Sequence, residues 1–149
     1  MSDSIKFYRT KDAYGEFSNF AAFPFTIDGK EWRTTEHYFQ AQKFAGTEFE
    51  EQIRQIPSPM IAARAGRDRK KPFRKDWEAV KDDVMRTAVR AKFTQHPRLA
   101  ELLLSTGDAE IIEHTTNDSY WADGGDGTGK NMLGIILMEI REELRVSKP

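Results

Sequence analysis

A chain of 149 residues is long enough for one domain and can bury about 68–70% of the surface its extended form exposes. Hydrophobic residues make up 38% and charged residues 32%, the balance of a globular domain, and a net charge of -1 does not advertise a nucleic-acid binder. The lack of cysteine excludes a disulfide scaffold, a zinc–thiolate site and a cysteine nucleophile. The start, Met1-Ser2-Asp3-Ser4-Ile5-Lys6, has no basic region followed by an apolar run, and no long apolar run occurs later. The expectation is a cytoplasmic protein without membrane contact.

Ile5 to Tyr8 alternates weakly and reads as an opening strand. Tyr14 to Phe20 is a loop in which Gly15, Ser18 and Asn19 separate Tyr14, Phe17 and Phe20. Such aromatics either plug the edge of a core or wall a pocket that stacks a flat ring. Phe23 to Ile27, then Asp28-Gly29, then Lys30-Glu31-Trp32 reads as a hairpin, because Asp-Gly suits a tight primed turn.

The hairpin feeds Thr34-Thr35-Glu36-His37-Tyr38-Phe39-Gln40-Ala41-Gln42-Lys43-Phe44. A threonine caps this helix, and Glu36 suits the positive end of its dipole. At about 100° per residue Glu36, Gln40 and Lys43 share a face, with Phe39 beside them. Glu36 and Lys43 read either as a solvated pair or as a partly buried pair with a function. The second reading gains from aromatic and apolar residues on several sides of the helix.

A second helix runs from Thr47 to Ile56, and Ser58 caps a third with Pro59 in its first turn. That helix carries Met60, Ile61, Ala62, Ala63 and Ala65 for close packing and ends near Gly66. Next come Arg64, Arg67, Arg69, Lys70, Lys71, Arg74 and Lys75, with only Asp68 and Asp76 against them. The run is a solvated face or a phosphate-binding stretch. Asp76 to Gln95 is the longest helix, with Trp77, Val80, Val84, Ala88 and Ala91 as its buried stripe. Pro97 to Leu104 is a leucine-rich helix, Thr106-Gly107-Asp108 turns the chain, and Ala109 to His114 alternates as an exposed strand does. These elements predict a mainly helical α+β single domain over residues 1–149, with one small sheet built from the early segments and the strand near Ile111.

Gly124 to Asn131 nearly spells a phosphate-binding P-loop, but Asn131 replaces the required Ser or Thr and no buried strand precedes it. An EF-hand fails as well, since Gly134 stands where the twelfth-position carboxylate belongs. What remains is a flexible turn, or a set of converging N–H groups at the start of a final helix from Met132 to Val146. That helix buries Leu133, Ile136, Leu137, Ile140 and Leu144.

Thr35 to Phe44 resembles the signature of the YbiA-like proteins, the NADAR family, and in particular its bacterial branch of riboflavin-biosynthesis-intermediates N-glycosidases. The resemblance continues through Phe17-Ser18-Asn19-Phe20, Ser58-Pro59-Met60, Ala63 to Arg67, Trp77, Asn117 to Trp121 and Gly129 to Gly134. It implies a YbiA-like fold and marks Glu36, Lys43 and Asp118 as catalytic. It marks Phe17, Asn19, Phe20, Arg64, Arg67, Trp77, Trp121, Lys130 and Asn131 as substrate-binding. Trp77 by its own pattern is a core residue, so both readings of it stand. The implied substrate is an early riboflavin precursor, a phosphorylated ribosylamino-pyrimidine or -uracil, cleaved to free base and ribose 5-phosphate. In the wider family the resemblance extends to ADP-ribosyl hydrolases that act on ADP-ribosylated guanine.

Cleaving such a C–N bond calls for acids that divide protonation and stabilisation, and Glu36, Asp118 and Asp123 are the candidates, ahead of Glu48 and Glu50. A lysine offers another route. The ring-opened aminosugar is an imine, and Lys43 can displace its amine through a Schiff base, with Glu36 as proton shuttle. Shared helical face and resemblance favour this route over direct water attack by Glu36 and Asp118. No step calls for a metal or a redox cofactor. Two other classes stand beside the enzyme: a non-catalytic module binding ADP-ribose or a nucleotide, and a structural protein partner.

Overall fold

Asp28 and Gly29 take positive φ angles of 52° and 81°, the combination that a two-residue primed turn requires. They join β2 (Phe25–Ile27) to β3 (Lys30–Trp32) in antiparallel register, Phe25 opposite Trp32. The computed structural model describes residues 3–147. β1 (Ser4–Phe7) pairs in parallel with β4 (Glu110–Glu113), Ile5 opposite Ile111. The one small sheet expected from the sequence is therefore two two-stranded sheets among the described residues. The hairpin turns its apolar ends, Phe25 and Trp32, into a helical core of its own.

The chain forms two compact units, one from Met1–Ala21 with Phe93–Pro149 and the other from Ala22–Lys92. The second unit holds the hairpin, α1 (Thr35–Gln42), α2 (Glu48–Gln55), α3 (Pro59–Gly66) and most of α4 (Trp77–Gln95). Side-chain oxygens start the first three helices. Thr34 accepts from the His37 N–H at 3.1 Å, Thr47 from Phe49 at 3.2 Å and Ser58 from Ile61 at 3.3 Å, each cap contributing about 1 kcal/mol. Their apolar faces meet in a core of Phe25, Trp32, Ala41, Phe44, Ile53, Ala62 and Ala88. Phe44 stands edge-on to Phe73 at 5.0 Å between ring centroids. Phe44→Ala is expected to cost about 3–5 kcal/mol, read as a lower midpoint in urea unfolding at unchanged slope.

Helices α3 and α4 each bury a different set of residues from the one their sequences suggest. Met60 and Ile61 lie exposed, while Ala62 and Ala63 are buried. The helical period sets positions 60, 61 and 64 on the side away from the core. On α4 the buried residues are Trp77, Met85, Ala88, Val89, Lys92 and Phe93, with Val80, Val84 and Ala91 only half-buried. The stripe follows the i, i+4 row of the bulkier Met85, Val89 and Phe93.

The first unit builds its core from α5 (Pro97–Ser105), α6 (Met132–Ser147) and the β1–β4 pair, with Leu99, Leu103, Ile111, Leu133, Ile136, Leu137 and Ile140 buried. β4 is not an exposed strand: Ile111 has no accessible surface. α6 can close on it because position 134 is glycine, where a Cβ would sit 2.1 Å from the Ile111 carbonyl oxygen. No helix of the described residues is long and apolar enough to cross a membrane.

Candidate active site

Helix α1 is fixed before it does any chemistry. His37 is buried, its Nδ1 2.7 Å from Thr34 Oγ1 and its Nε2 2.7 Å from the Ile56 carbonyl oxygen. Burial lowers its pKa, so the neutral ring donates from Nε2 and accepts at Nδ1. This bracket sets the helical rotation, and the rotation sets the neighbouring face. On that face Glu36 and Lys43 are each only 8% exposed, which removes the solvated-pair reading.

Lys43 follows the last residue of α1, where its N–H bonds the Gln40 carbonyl at 3.3 Å in a tightened final turn. The helix thus ends just short of the expected Phe44. The Lys43 Nζ donates to the Gly66 carbonyl at 3.2 Å. Around it stand the rings of Phe39, Phe73 and Trp77, with centroids 5.6, 5.4 and 5.8 Å away. Burial drives the Lys43 pKa down to about 8; Glu36 opposes this, and Arg67 and Arg69 add to it. Roughly a tenth of the side chain is then neutral at pH 7, against fewer than one in a thousand for an ordinary lysine. Trp77 is 7% exposed and is both core residue and cage wall.

The basic stretch divides by what each group touches. Arg69 stacks on Phe73 at 4.3 Å, Lys71 donates to the Ala65 carbonyl at 3.4 Å, and Arg74 pairs with Asp76 at 2.6 Å. Arg64 is exposed and reaches the Met60 sulfur at 3.5 Å. Arg67 follows α3 as its C-cap. Among the described residues its guanidinium has no hydrogen bond or ion pair, which leaves its donors for an anion. Of the lesser acids, Glu50 accepts from Gln42 Nε2 and the Gly46 N–H, and Glu48 is exposed.

The remaining expected site residues lie in the other unit. Phe17 is 1% exposed and packs against Phe7 and Phe93, each at 5.8 Å, so it plugs a core. Asn19 is buried, Phe20 half-buried. Asp118 Oδ1 accepts from the Tyr120 and Trp121 N–H groups, both at 2.8 Å, and Trp121 stands edge-on to Tyr120. The exposed Lys130 holds its Nζ 5.3 Å from the Tyr120 ring centroid. The Asn131 amide bridges two β4 backbone groups, accepting from Glu113 N–H at 3.0 Å and donating to Ile111 O at 2.9 Å. Lys130, Asn131, His114 and Asp123 line a cavity of about 510 Å³.

Neither reading of the glycine turn holds. The N–H groups of Gly129, Lys130, Asn131, Met132 and Leu133 donate to the carbonyls of Asp123, Ser119, Ala122, Tyr120 and Trp121. The start of α6 is closed by the chain's own backbone, so the turn is neither loose nor an anion cradle. Asp123 ties it down, accepting from His114 Nδ1, Thr115 N–H and Gly125 N–H. Among the described residues no group of three or more His, Asp or Glu side chains is placed to hold a metal.

Sequence reasoning missed Phe73, Gly66 and Gln40. Phe73 and Gly66 reach Lys43 only through tertiary packing and carried no signal. Gln40 was visible on the Glu36 face, four residues on, but was given no role.

The NADAR domain family matches residues 6–145. The chain is 60% identical over 149 residues to N-glycosidase YbiA of Escherichia coli (strain K12), covering 99% of this chain and 93% of that protein. It is 42% identical over 149 residues to a riboflavin biosynthesis protein of Vibrio vulnificus (strain YJ016), covering 100% of this chain and 41% of that one. The NMR structure of the E. coli protein YbiA superposes with a TM-score of 0.90 at 60% identity, covering 98% of this chain and 88% of that one. The mainly helical α+β fold expected from the sequence is borne out by this likeness. The chain belongs to the NADAR domain family.

Proposed function

We propose that this protein is a hydrolase of N-glycosidic bonds that cleaves phosphorylated ribosylamino-pyrimidines, releasing the free amine and ribose 5-phosphate. The observation that carries the reading is Lys43, buried in an aromatic cage with its pKa near 8 and sharing a helical face with Glu36. The N-glycosidase and riboflavin-biosynthesis relatives support the reaction and the substrate class respectively.

The steps balance without a cofactor. Opening of the sugar ring breaks the C1–O bond, moves the proton of the glycosidic N–H to the ring oxygen and leaves a C1=N imine to the base. The neutral Lys43 Nζ adds to C1, the imine nitrogen takes a proton from Glu36, and Lys43 returns one to Glu36. Glu36 then gives that proton to the base nitrogen as the C1–N bond breaks, which releases the free amine and leaves a protonated Schiff base on Lys43 that water hydrolyses to the sugar aldehyde. A free Arg67 beside the site suits the substrate phosphate.

The test is product release from a phosphoribosylamino-pyrimidine and from ADP-ribosylated guanosine, followed side by side by chromatography with mass detection. Turnover of the pyrimidine conjugate supports the proposal. Turnover of the guanosine conjugate alone moves the substrate to ADP-ribosylated bases, and binding without release in both makes the protein a binding module. Arg67→Ala is expected to raise KM about tenfold for the phosphorylated substrate and to leave the KM of a dephosphorylated one unchanged. Since Arg67 also lowers the Lys43 pKa, its loss shifts the acid limb of the pH–rate profile upward.

A further inference from the structure

Gln40 stands between Glu36 and Lys43 on α1 with one end engaged. It is 4% exposed, and its Nε2 donates to Glu36 Oε2 at 2.6 Å. Its Oε1 is buried with no hydrogen-bond partner among the described residues. The Glu36 oxygen accepts from the amide N–H, which turns Oε1 away from the carboxyl group. A buried acceptor without a donor is destabilising, and native interiors hold few.

The packing around it is tight. α3 passes so close that a Cβ at position 66 would lie 2.0 Å from Gln40 Oε1 and 2.7 Å from Gln40 Cβ. The same Gly66 offers its carbonyl to Lys43 Nζ. Glu36, Gln40, Gly66 and Lys43 therefore form one contiguous row, and glycine at position 66 is what admits the glutamine.

We infer that Gln40 is a positioning residue: Nε2 holds the Glu36 carboxylate for proton transfer to and from Lys43, and an unpartnered Oε1 seated against Gly66 is the cost of keeping the amide there. This rests on the Glu36/Lys43 reading above. A carboxylate held in place for proton transfer acts on the barrier rather than on substrate binding, so the signature of Gln40 is in kcat. A helix-packing role alone would move stability and leave the kinetic split untouched.

The experiment is a cycle of Gln40→Ala, Gly66→Ala and the double variant, each measured for kcat, KM and Tm, with borohydride trapping on the parent. Gln40→Ala is expected to lower kcat about 10- to 100-fold with KM within about threefold. Gly66→Ala pushes the glutamine aside and gives a similar loss. In the double variant the clash with Oε1 is gone and only the 2.7 Å approach to the Cβ of residue 40 remains, so kcat falls little further than in Gln40→Ala. If Gly66→Ala does not fold, Gln40→Met, which fills the same space without polar atoms, gives the same kcat loss. Parent-like kcat in Gln40→Ala or Gln40→Met, or losses that multiply in the double variant, would overturn the inference. A parent that traps no sugar on Lys43 fails at the earlier step, whatever Gln40 does.

Discussion

Lys43→Ala is expected to lower turnover by about 10⁴-fold or more, the scale seen when a covalent nucleophile is removed. Borohydride added during turnover by the parent should leave a reduced sugar on the peptide carrying Lys43, and none on the variant. Full activity in Lys43→Ala would return the reaction to direct water attack. The pH–rate profile of the parent should climb to about pH 8, the pKa to which burial brings this lysine. Stability gives an independent reading. In the window from about 8 to 10.5 the unfolded chain keeps a proton on Lys43 that the folded chain has lost. Stability therefore rises with pH through that window, and below it the folded state carries the full cost of a buried ammonium. The cost is at most about 3.5 kcal/mol at about 1.4 kcal/mol per pKa unit, less what the Gly66 carbonyl and the three rings return. Lys43→Met removes the charge and keeps the bulk, so its Tm at pH 7 should match or exceed the parent's by a few degrees. A large drop in Tm would mean that the ammonium holds the fold together rather than waiting for substrate.

What could be read in the sequence was local. Thr34, Thr47 and Ser58 announced three helix starts because a cap needs only its own next turn. Asp28-Gly29 announced the hairpin for the same reason. The shared face of Glu36, Gln40 and Lys43 follows from helical period alone, and their burial confirms that the face is not a solvated one. What could not be read came from packing. Phe73 lies amid arginines and lysines, and nothing nearby in sequence says that its ring meets Lys43 Nζ. The lysine's lowered pKa is a property of that cage, not of its neighbours along the chain. The glycine turn misled because the N–H groups of Gly129 to Leu133, where it meets α6, are used by carbonyls of residues 119–123, a loop whose return path has no pattern. Phe17 looked like pocket or core with equal right, and burial decided for the core.

Glu36→Gln is expected to lower kcat about 10²- to 10⁴-fold, the range for losing a positioned acid–base group, while substrate still binds. The replacement keeps the shape of the side chain and can still accept from Gln40 Nε2, so the fold of α1 persists. Its effect on Lys43 runs the other way from its effect on rate. Glu36 raises the Lys43 pKa, so removing the carboxylate leaves the lysine neutral at lower pH and moves the acid limb of the profile downward. If Glu36 acted only as an electrostatic partner of Lys43, the variant would be faster than the parent below pH 8. If Glu36 carries the proton between Lys43 and the departing amine, kcat falls at every pH even though more of the nucleophile is ready. A slower enzyme with a lower acid limb is the result expected. Arg67→Ala, with its limb displaced upward, supplies the opposite shift from the opposite charge, and the pair of variants separates proton transfer from the field that tunes the lysine.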